Sequence, residues 1–214
     1  MPSPSLFSQG PSTGQWPKFS VETGPMAAGS ANMNPVVVVH GGGVSSISKD
    51  RKERVHQGVV RAATVGYNVL KEVKSVVDAV EGAVTVLEDD TEFNTGCQSV
   101  LNVNGEVEMD ASIHSMNGKD LSVGAVSAVR CTANPIKLAR LVLEQASHCI
   151  LTDQGAEKFA AAMGVPTVPG QQLVTERNIK HLEKGKHQKG AQKPGCQKEM
   201  LFHITCSVLE AKAT

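Results

Sequence analysis

Val36-Val37-Val38-Val39-His40-Gly41-Gly42-Gly43 is the stretch that decides the fold class. Four β-branched apolar residues in a row read as a buried strand, because stiff, branched side chains suit a pleated sheet. Three glycines at its end allow a sharp turn and let bare N–H groups approach a ligand or another chain segment. Such a turn is either an oxyanion or main-chain-binding cradle or a tight strand-to-loop corner, and spacing alone leaves both open. His40 reads as a packed, hydrogen-bonded side chain rather than a base. No G-x-S-x-G elbow follows this strand, and neither G-x-x-x-x-G-K-[ST] nor a G-x-G-x-x-G in its required setting is found. Serine-hydrolase, phosphate and dinucleotide chemistry therefore lack their motifs.

Composition narrows the class. With 214 residues and 40% apolar content the chain can bury one ordinary core. Aromatic residues make up only 3%, so that core rests on Val, Leu, Ala and Ile. Lys+Arg and Asp+Glu are each 21, a formal net charge of +0, so neither nucleic acid nor an anionic membrane is expected as a partner. No apolar run approaches the roughly 20 residues that span a bilayer. The first 32 residues carry one basic residue, Lys18, and no basic-then-apolar order, unlike a secretory signal or an Arg-rich presequence. Cys97, Cys131, Cys149, Cys196 and Cys206 show no C-x-x-C spacing. An odd, sparse set fits reduced thiols, and a cytoplasmic location is expected.

Local patterns divide the chain into a disordered leader (1–33), an ordered domain (34–175), a basic and partly helical linker (176–198) and a divergent tail (199–214). Apolar residues at Val55, Val59, Ala62, Ala63, Val69 and Leu70 give a helix interrupted only by Gly66. Ser75 with Asp78 three residues on forms a capping-box pattern that opens a second helix, closed by Glu88-Asp89-Asp90. Asn104-Gly105 between alternating segments predicts a hairpin with a type I′ turn. A strand is expected over 122–129, a helix opening at Pro135, a short strand over 149–151 and a helix over 154–163 with Phe159 inward. The tail turns apolar again with no partner in the pattern. Glu88-Asp89-Asp90-Thr91-Glu92 reads by itself as a solvated acidic turn, without the D-x-D-x-D-G order of an EF-hand. The Lys/His run over 180–193 has no interleaved aromatics and reads as solvated rather than nucleic-acid-binding.

A family resemblance rests on VVVVHGGG, ISKDRKERVHQG, DAVEGAV, LEDD, EFN, GEVEMDASI, NPIKLARLV, LTDQGA, FAAAMGVP and LVTERN, spread over residues 34 to about 198. Together they resemble the α-subunit portion of the isoaspartyl peptidase/L-asparaginase family of threonine-dependent N-terminal-nucleophile (Ntn) hydrolases. The resemblance implies an α/β fold, the N-terminal half of an αββα Ntn-hydrolase sandwich and incomplete as such. It implies a precursor that cuts itself to expose a threonine, whose own α-amine serves as base in attacking an asparagine side-chain amide or an isoaspartyl bond. A dimer of αβ units and a structural sodium ion, with no other cofactor, are further implications. His40, Gly41, Gly42 and Gly43 match the family loop beside the scissile bond, and Asn94 matches an asparagine near the same place. The main-chain carbonyls of Leu87, Glu88, Asp90, Phe93, Thr95 and Cys97 match the sodium loop. Carbonyl oxygen suits a hard cation, so the resemblance turns the acidic loop from a solvated turn into an expected ion site.

Departures from the family pattern carry as much weight. After Cys196-Gln197-Lys198 the family reaches Gly-Thr and then a second subunit, whereas this sequence continues Glu199-Met200-Leu201-Phe202-His203-Ile204-Thr205-Cys206 and contains no Gly-Thr. Phe202 falls about where the threonine is expected, and Thr205 follows Ile204 rather than glycine. Val44-Ser45-Ser46, Val73-Lys74, Thr95 and Gln98 replace smaller family residues, and Gln98 is strained if its position needs positive φ. His114-Ser115-Met116 is expected to lengthen the turn after the MDASI strand. A truncated hydrolase homologue, inactive alone and leaving a sheet face uncovered, is the expectation. The alternative is a non-enzymatic partner that docks on the β-subunit or dimer surface of a full-length homologue.

Overall fold

The computed structural model describes residues 36–42, 47–73, 75–117, 120–188 and 203–209, with only the backbone of 42, 117, 185–188 and 203–209. The expected leader, Gly43, the Val44-Ser45-Ser46 turn, Lys74, and the linker and tail residues 189–202 and 210–214 lie outside the described residues.

Strand β1 (Val36–Gly42) carries the valine run. It is not buried on both faces as expected. Val37 and Val39 turn inward while Val36, Val38 and His40 are exposed, the two-residue alternation of a strand covered on one side. Gly41 and Gly42 do not turn the chain either, because both remain in the strand. Their opposite numbers are Ile204 and His203 of strand β5 (His203–Leu209), which pairs antiparallel with β1 over its whole length, Val36 facing Leu209. The part of the tail expected to have no partner is therefore the second strand of this sheet.

Helix α1 (Lys49–Val73) runs straight through Gly66, and α2 (Val76–Glu88) explains why. A Cβ on Gly66 would lie 3.0 Å from the Ala79 carbonyl and 3.1 Å from the Ala83 Cβ, so the missing side chain is what lets the helices cross closely. The Ser75 hydroxyl accepts from the Asp78 N–H at 3.2 Å, making the expected cap, and the Asp78 carboxylate pairs with Arg140 at 2.8 Å. Val39, Val55, Ala62, Ala83, Leu87 and Phe93 form one apolar cluster between β1, α1 and α2.

The second sheet orders as β2 (Met109–Asn117), β3 (Asp120–Val129) and β4 (Ile150–Thr152), with β2 antiparallel and β4 parallel to β3. His114, Ser115 and Met116 continue β2 opposite Val123, Ser122 and Leu121 rather than lengthening a turn. Ahead of β2, the Asn-Gly segment makes a single bridge, Leu101 to Val107, instead of two long strands. Its turn is not type I′: Gly105 has φ of 82° but Asn104 does not share the positive φ that type requires. The Asn102 carboxamide oxygen instead accepts from the N–H groups of Asn104 (2.9 Å) and Glu106 (3.0 Å), organising a wider loop around the left-handed glycine.

Helices α3 (Pro135–Gln145) and α4 (Asp153–Ala162) lie on one face of this sheet, where Ile113, Val126, Val129, Ile136, Leu138, Val142, Ala156 and Ala160 are buried together. Its other face shows Met116, 76% exposed, with Leu121 and Ile150 also exposed. Each sheet thus has helices on one side, and on the other an exposed apolar face among the described residues. The architecture is mixed α/β, and an αββα sandwich is not completed within it. Helices α5 (Gly170–Leu173) and α6 (Glu176–Gln188) follow, so the basic linker is helical at its start. No described helix is long and apolar enough to cross a membrane.

Candidate functional site

The C-terminus of α2 delivers the acidic segment, and the chain beyond it folds back through a series of short backbone bonds. Asp90 N–H donates to the Leu87 carbonyl at 3.3 Å, Phe93 N–H to Asp90 at 3.2 Å and Gln98 N–H to Thr95 at 3.3 Å. The Asn94 carboxamide oxygen accepts from the Val100 N–H at 2.7 Å and fixes the exit of the loop. Gly96 has φ of 56°, and a Cβ there would lie 2.2 Å from the Glu88 carbonyl and 3.0 Å from that of Ala133. Two main-chain oxygens therefore converge where only glycine fits. Gln98 does not carry the positive φ feared for it. It sits in the 3-10 turn over 96–98 with its side-chain oxygen 3.4 Å from the Thr175 hydroxyl.

The acidic turn is only partly solvated: Asp89 and Thr91 are exposed, whereas Glu88 and Glu92 are largely covered. Glu92 is 11% exposed and lies among three guanidinium groups, Arg54 at 2.5 Å, Arg51 at 3.1 Å and Arg177 at 3.7 Å. Burial pulls its carboxyl upward, yet the hydrogen bond from Arg54 and the charges of Arg177 and Arg54 outweigh burial and hold it below the usual carboxylate range. Asp90 pairs with Arg61. Glu88 faces the opposite situation, 1% exposed, with Oε1 accepting the Ile136 N–H at 3.0 Å in the first turn of α3. Burial pushes it up to about 8 despite that hydrogen bond, and its Oε2 has no partner. A neutral carboxyl capping a helix is the consequence at neutral pH.

Phe93 joins this loop to the glycine strand. Its ring is buried in the α1–α2 cluster, and a Cβ on Gly41 would come 2.6 Å from it, one on Gly58 2.7 Å. Gly41 is therefore bare because an aromatic edge occupies the space. Of the expected supporting residues, Gly41 touches the loop through Phe93, Gly42 continues β1, His40 is exposed and Gly43 lies outside the described residues. Asn94 is engaged within the loop itself.

The carbonyls of Leu87, Asp90 and Thr95 each accept a backbone N–H, and that of Glu88 lies 3.7 Å from the Cys97 sulfur. Among the described residues no group of three or more His, Cys, Asp or Glu side chains gathers as metal ligands, so main-chain oxygen is what this loop offers a cation. Three residues escaped the sequence reading. Thr175 and Asn178 cap α6 reciprocally, Asn178 N–H donating to the Thr175 hydroxyl at 3.3 Å and Thr175 N–H to the Asn178 side chain at 2.7 Å. Arg177 donates to the Thr91 carbonyl at 2.7 Å. The signal was Thr-x-x-Asn, a capping box with asparagine in the place of the usual glutamate.

The family profile described as Asparaginase matches residues 33–205. An isoaspartyl peptidase/L-asparaginase of Bos taurus is 76% identical over 168 residues, 78% of this chain and 54% of that protein. Its Homo sapiens counterpart is 75% identical over the same length, and a plant-type L-asparaginase of Pyrococcus horikoshii is 45% identical over 61% of this chain and 42% of its own. The chain spans about half the length of these curated relatives. With a profile match running from before β1 into β5, the chain belongs to the asparaginase family.

Proposed function

We propose that these 214 residues form the α-subunit-like scaffold of a threonine-type amidohydrolase, of the kind that acts on L-asparagine and β-aspartyl peptides, and that the chain alone does not perform the reaction. The observation that carries this reading is the placement of β5. It begins at His203 opposite Gly42, and in the sequence the position that the resemblance gives to the threonine is held by Phe202. A phenylalanine offers neither a hydroxyl nor, inside a continuous chain, the free amine that would act as base. Loss of a nucleophile lowers kcat by roughly 10⁴–10⁶ in a hydrolase of this general kind. Burial pushes the thiols of Cys97 and Cys131 up, away from the thiolate form that nucleophilic attack requires. The free state of Cys97, Cys131 and Cys149 suits a reducing cytoplasm.

A sodium ion on the carbonyl loop, as the resemblance implies, is part of this proposal. What supports it is a loop held by arginines at its acidic side chains, with the Glu88 carbonyl packed against Gly96 and main-chain oxygen as the hard, neutral donor. Leu87, Glu88, Asp90, Phe93, Thr95 and Cys97 would hold the ion, whose contribution when bound is to fix the loop.

The test is ammonia release from L-asparagine and cleavage of a β-aspartyl dipeptide by the purified full chain, with its intact mass determined before and after incubation. Background rates and one species at full-chain mass are expected. Turnover accompanied by a new N-terminus at Thr205 would overturn the proposal. A second reading, a non-enzymatic partner of a full-length homologue's β-subunit, is favoured by the exposed apolar faces of both sheets. It predicts that a full-length relative co-purifies with this chain and matures more slowly in its presence.

A further inference from the structure

We propose that the first turn of α6 is a clasp that holds the carbonyl loop in its ion-ready shape, with Asn178 and Arg177 as its positioning residues. Asn178 is 4% exposed and its polar side chain serves two structures at once. Its oxygen accepts from the Thr175 N–H and completes the cap of α6, while Nδ2 donates to the Ser99 carbonyl at 3.2 Å and the Leu173 carbonyl at 3.4 Å. Arg177, the next residue toward the N-terminus, reaches the Thr91 carbonyl at 2.7 Å and lies 3.7 Å from the Glu92 carboxylate. Adjacent residues of one helix thus grip the loop at Thr91–Glu92 and at Ser99. The carbonyls of Phe93, Thr95 and Cys97 lie between those two points in the chain. Thr175 adds its hydroxyl against Gln98 at 3.4 Å.

The physical consequence follows from preorganisation. The segment between Thr91 and Ser99, which carries the Phe93, Thr95 and Cys97 carbonyls while Leu87, Glu88 and Asp90 precede it, has less conformational freedom to lose when an ion binds, so releasing either grip weakens binding without removing a ligand. Partners of ligating groups typically change metal affinity by about 10–100-fold when removed. This part of the inference rests on the sodium reading above, whereas the clasp itself rests on the hydrogen bonds alone.

Asn178→Asp keeps the oxygen that caps α6 but loses the donor to Ser99, and Arg177→Gln removes the guanidinium. Each leaves the surroundings one charge more negative, which by itself would tighten a cation, so weaker binding reports geometry. Lys180→Gln, at an exposed ion pair with Glu176 on the same helix, is the control. Two readouts on the full chain separate the ideas. One is hydrogen exchange at the Val100 amide, protected by Asn94; the other is the thermal midpoint in sodium chloride against choline chloride. In both variants Val100 should exchange about tenfold faster, and half-maximal stabilisation should need about tenfold more sodium, with Lys180→Gln like the parent. Faster exchange in the variants with no sodium response in the parent supports the clasp and removes the sodium reading. A parent that responds to sodium, with variants unchanged in Val100 exchange, overturns the clasp.

Discussion

Gly96 and Glu88 show how single positions set the shape of the loop. Gln98, which replaces a smaller family residue, would be strained only at positive φ, but the left-handed residue is Gly96, two positions earlier. A residue-by-residue match conveys which side chain differs and not which φ the backbone takes. Gly96→Ala should cost at least ~2 kcal/mol, since it combines a left-handed alanine with a Cβ driven into the Glu88 carbonyl; urea denaturation checks it, and a midpoint equal to the parent's would refute it. Glu88 was legible as an acidic residue and illegible as a cap, because its partner is the Ile136 N–H, 48 residues away. Its carboxyl is raised from about 4.5 to about 8, so below pH 4.5 both folded and unfolded chains hold the proton. Between those values the folded chain retains a proton that the unfolded chain has released, and stability falls as pH rises, levelling off above 8. Glu88→Gln should flatten that slope and exceed the parent in stability at pH 8, measured as urea midpoint against pH in sodium-free buffer. An unchanged slope would mean that Glu88 is ionised in the folded chain.

At the scale of elements, several local signals in the sequence agree with the structure. Ser75 caps α2, Pro135 opens α3, and β3, β4 and α4 lie within two residues of their expected bounds. What failed depended on distant neighbours or on choices the local pattern leaves open. The pairing of β5 with β1 joins segments some 160 residues apart, and no periodicity in either announces it. The Asn-Gly turn opened wider because the Asn102 side chain captures two backbone N–H groups before a two-residue turn can close. Gly124 is another long-range case, unremarked in the sequence. A Cβ there would lie 2.3 Å from the Ala139 carbonyl and 2.4 Å from the Leu143 nitrogen, so α3 rests directly on β3 at this point. Backbone on both sides leaves no flexible side chain to give way. Gly124→Ala should therefore cost ~3 kcal/mol or more, with loss of protection at amides of α3 while α1 and α2 keep theirs. Equal loss in α3 and in α1 and α2 would indicate global unfolding instead.

For the whole molecule, the decisive quantity is the apolar surface that remains exposed among the described residues. Apolar periodicity identified which segments form the sheets, but it could not tell a face that meets helices from one that meets water, since both carry the same residue types. The structure separates them: Val37, Val39, Ile113 and Val126 turn toward helices or the core, whereas Val36, Val38, Met116, Leu121 and Ile150 do not. At about 25 cal/mol per Å² of apolar area, hiding even a few hundred Å² favours association by several kcal/mol before its entropic cost. Self-association or aggregation rising with protein concentration is thus expected. Met116 and Leu121 face one another across β2 and β3, so Met116→Lys with Leu121→Glu places opposite charges in a cross-strand pair that itself contributes about 0.2–1 kcal/mol. The double variant should keep the circular dichroism of the parent while its sedimentation profile shifts toward monomer and its binding of a hydrophobic dye falls. If the parent already sediments as a monodisperse monomer and melts in one sharp transition, the exposed faces are tolerated as they stand. The link between this half-length chain and the need for a covering partner would then be broken.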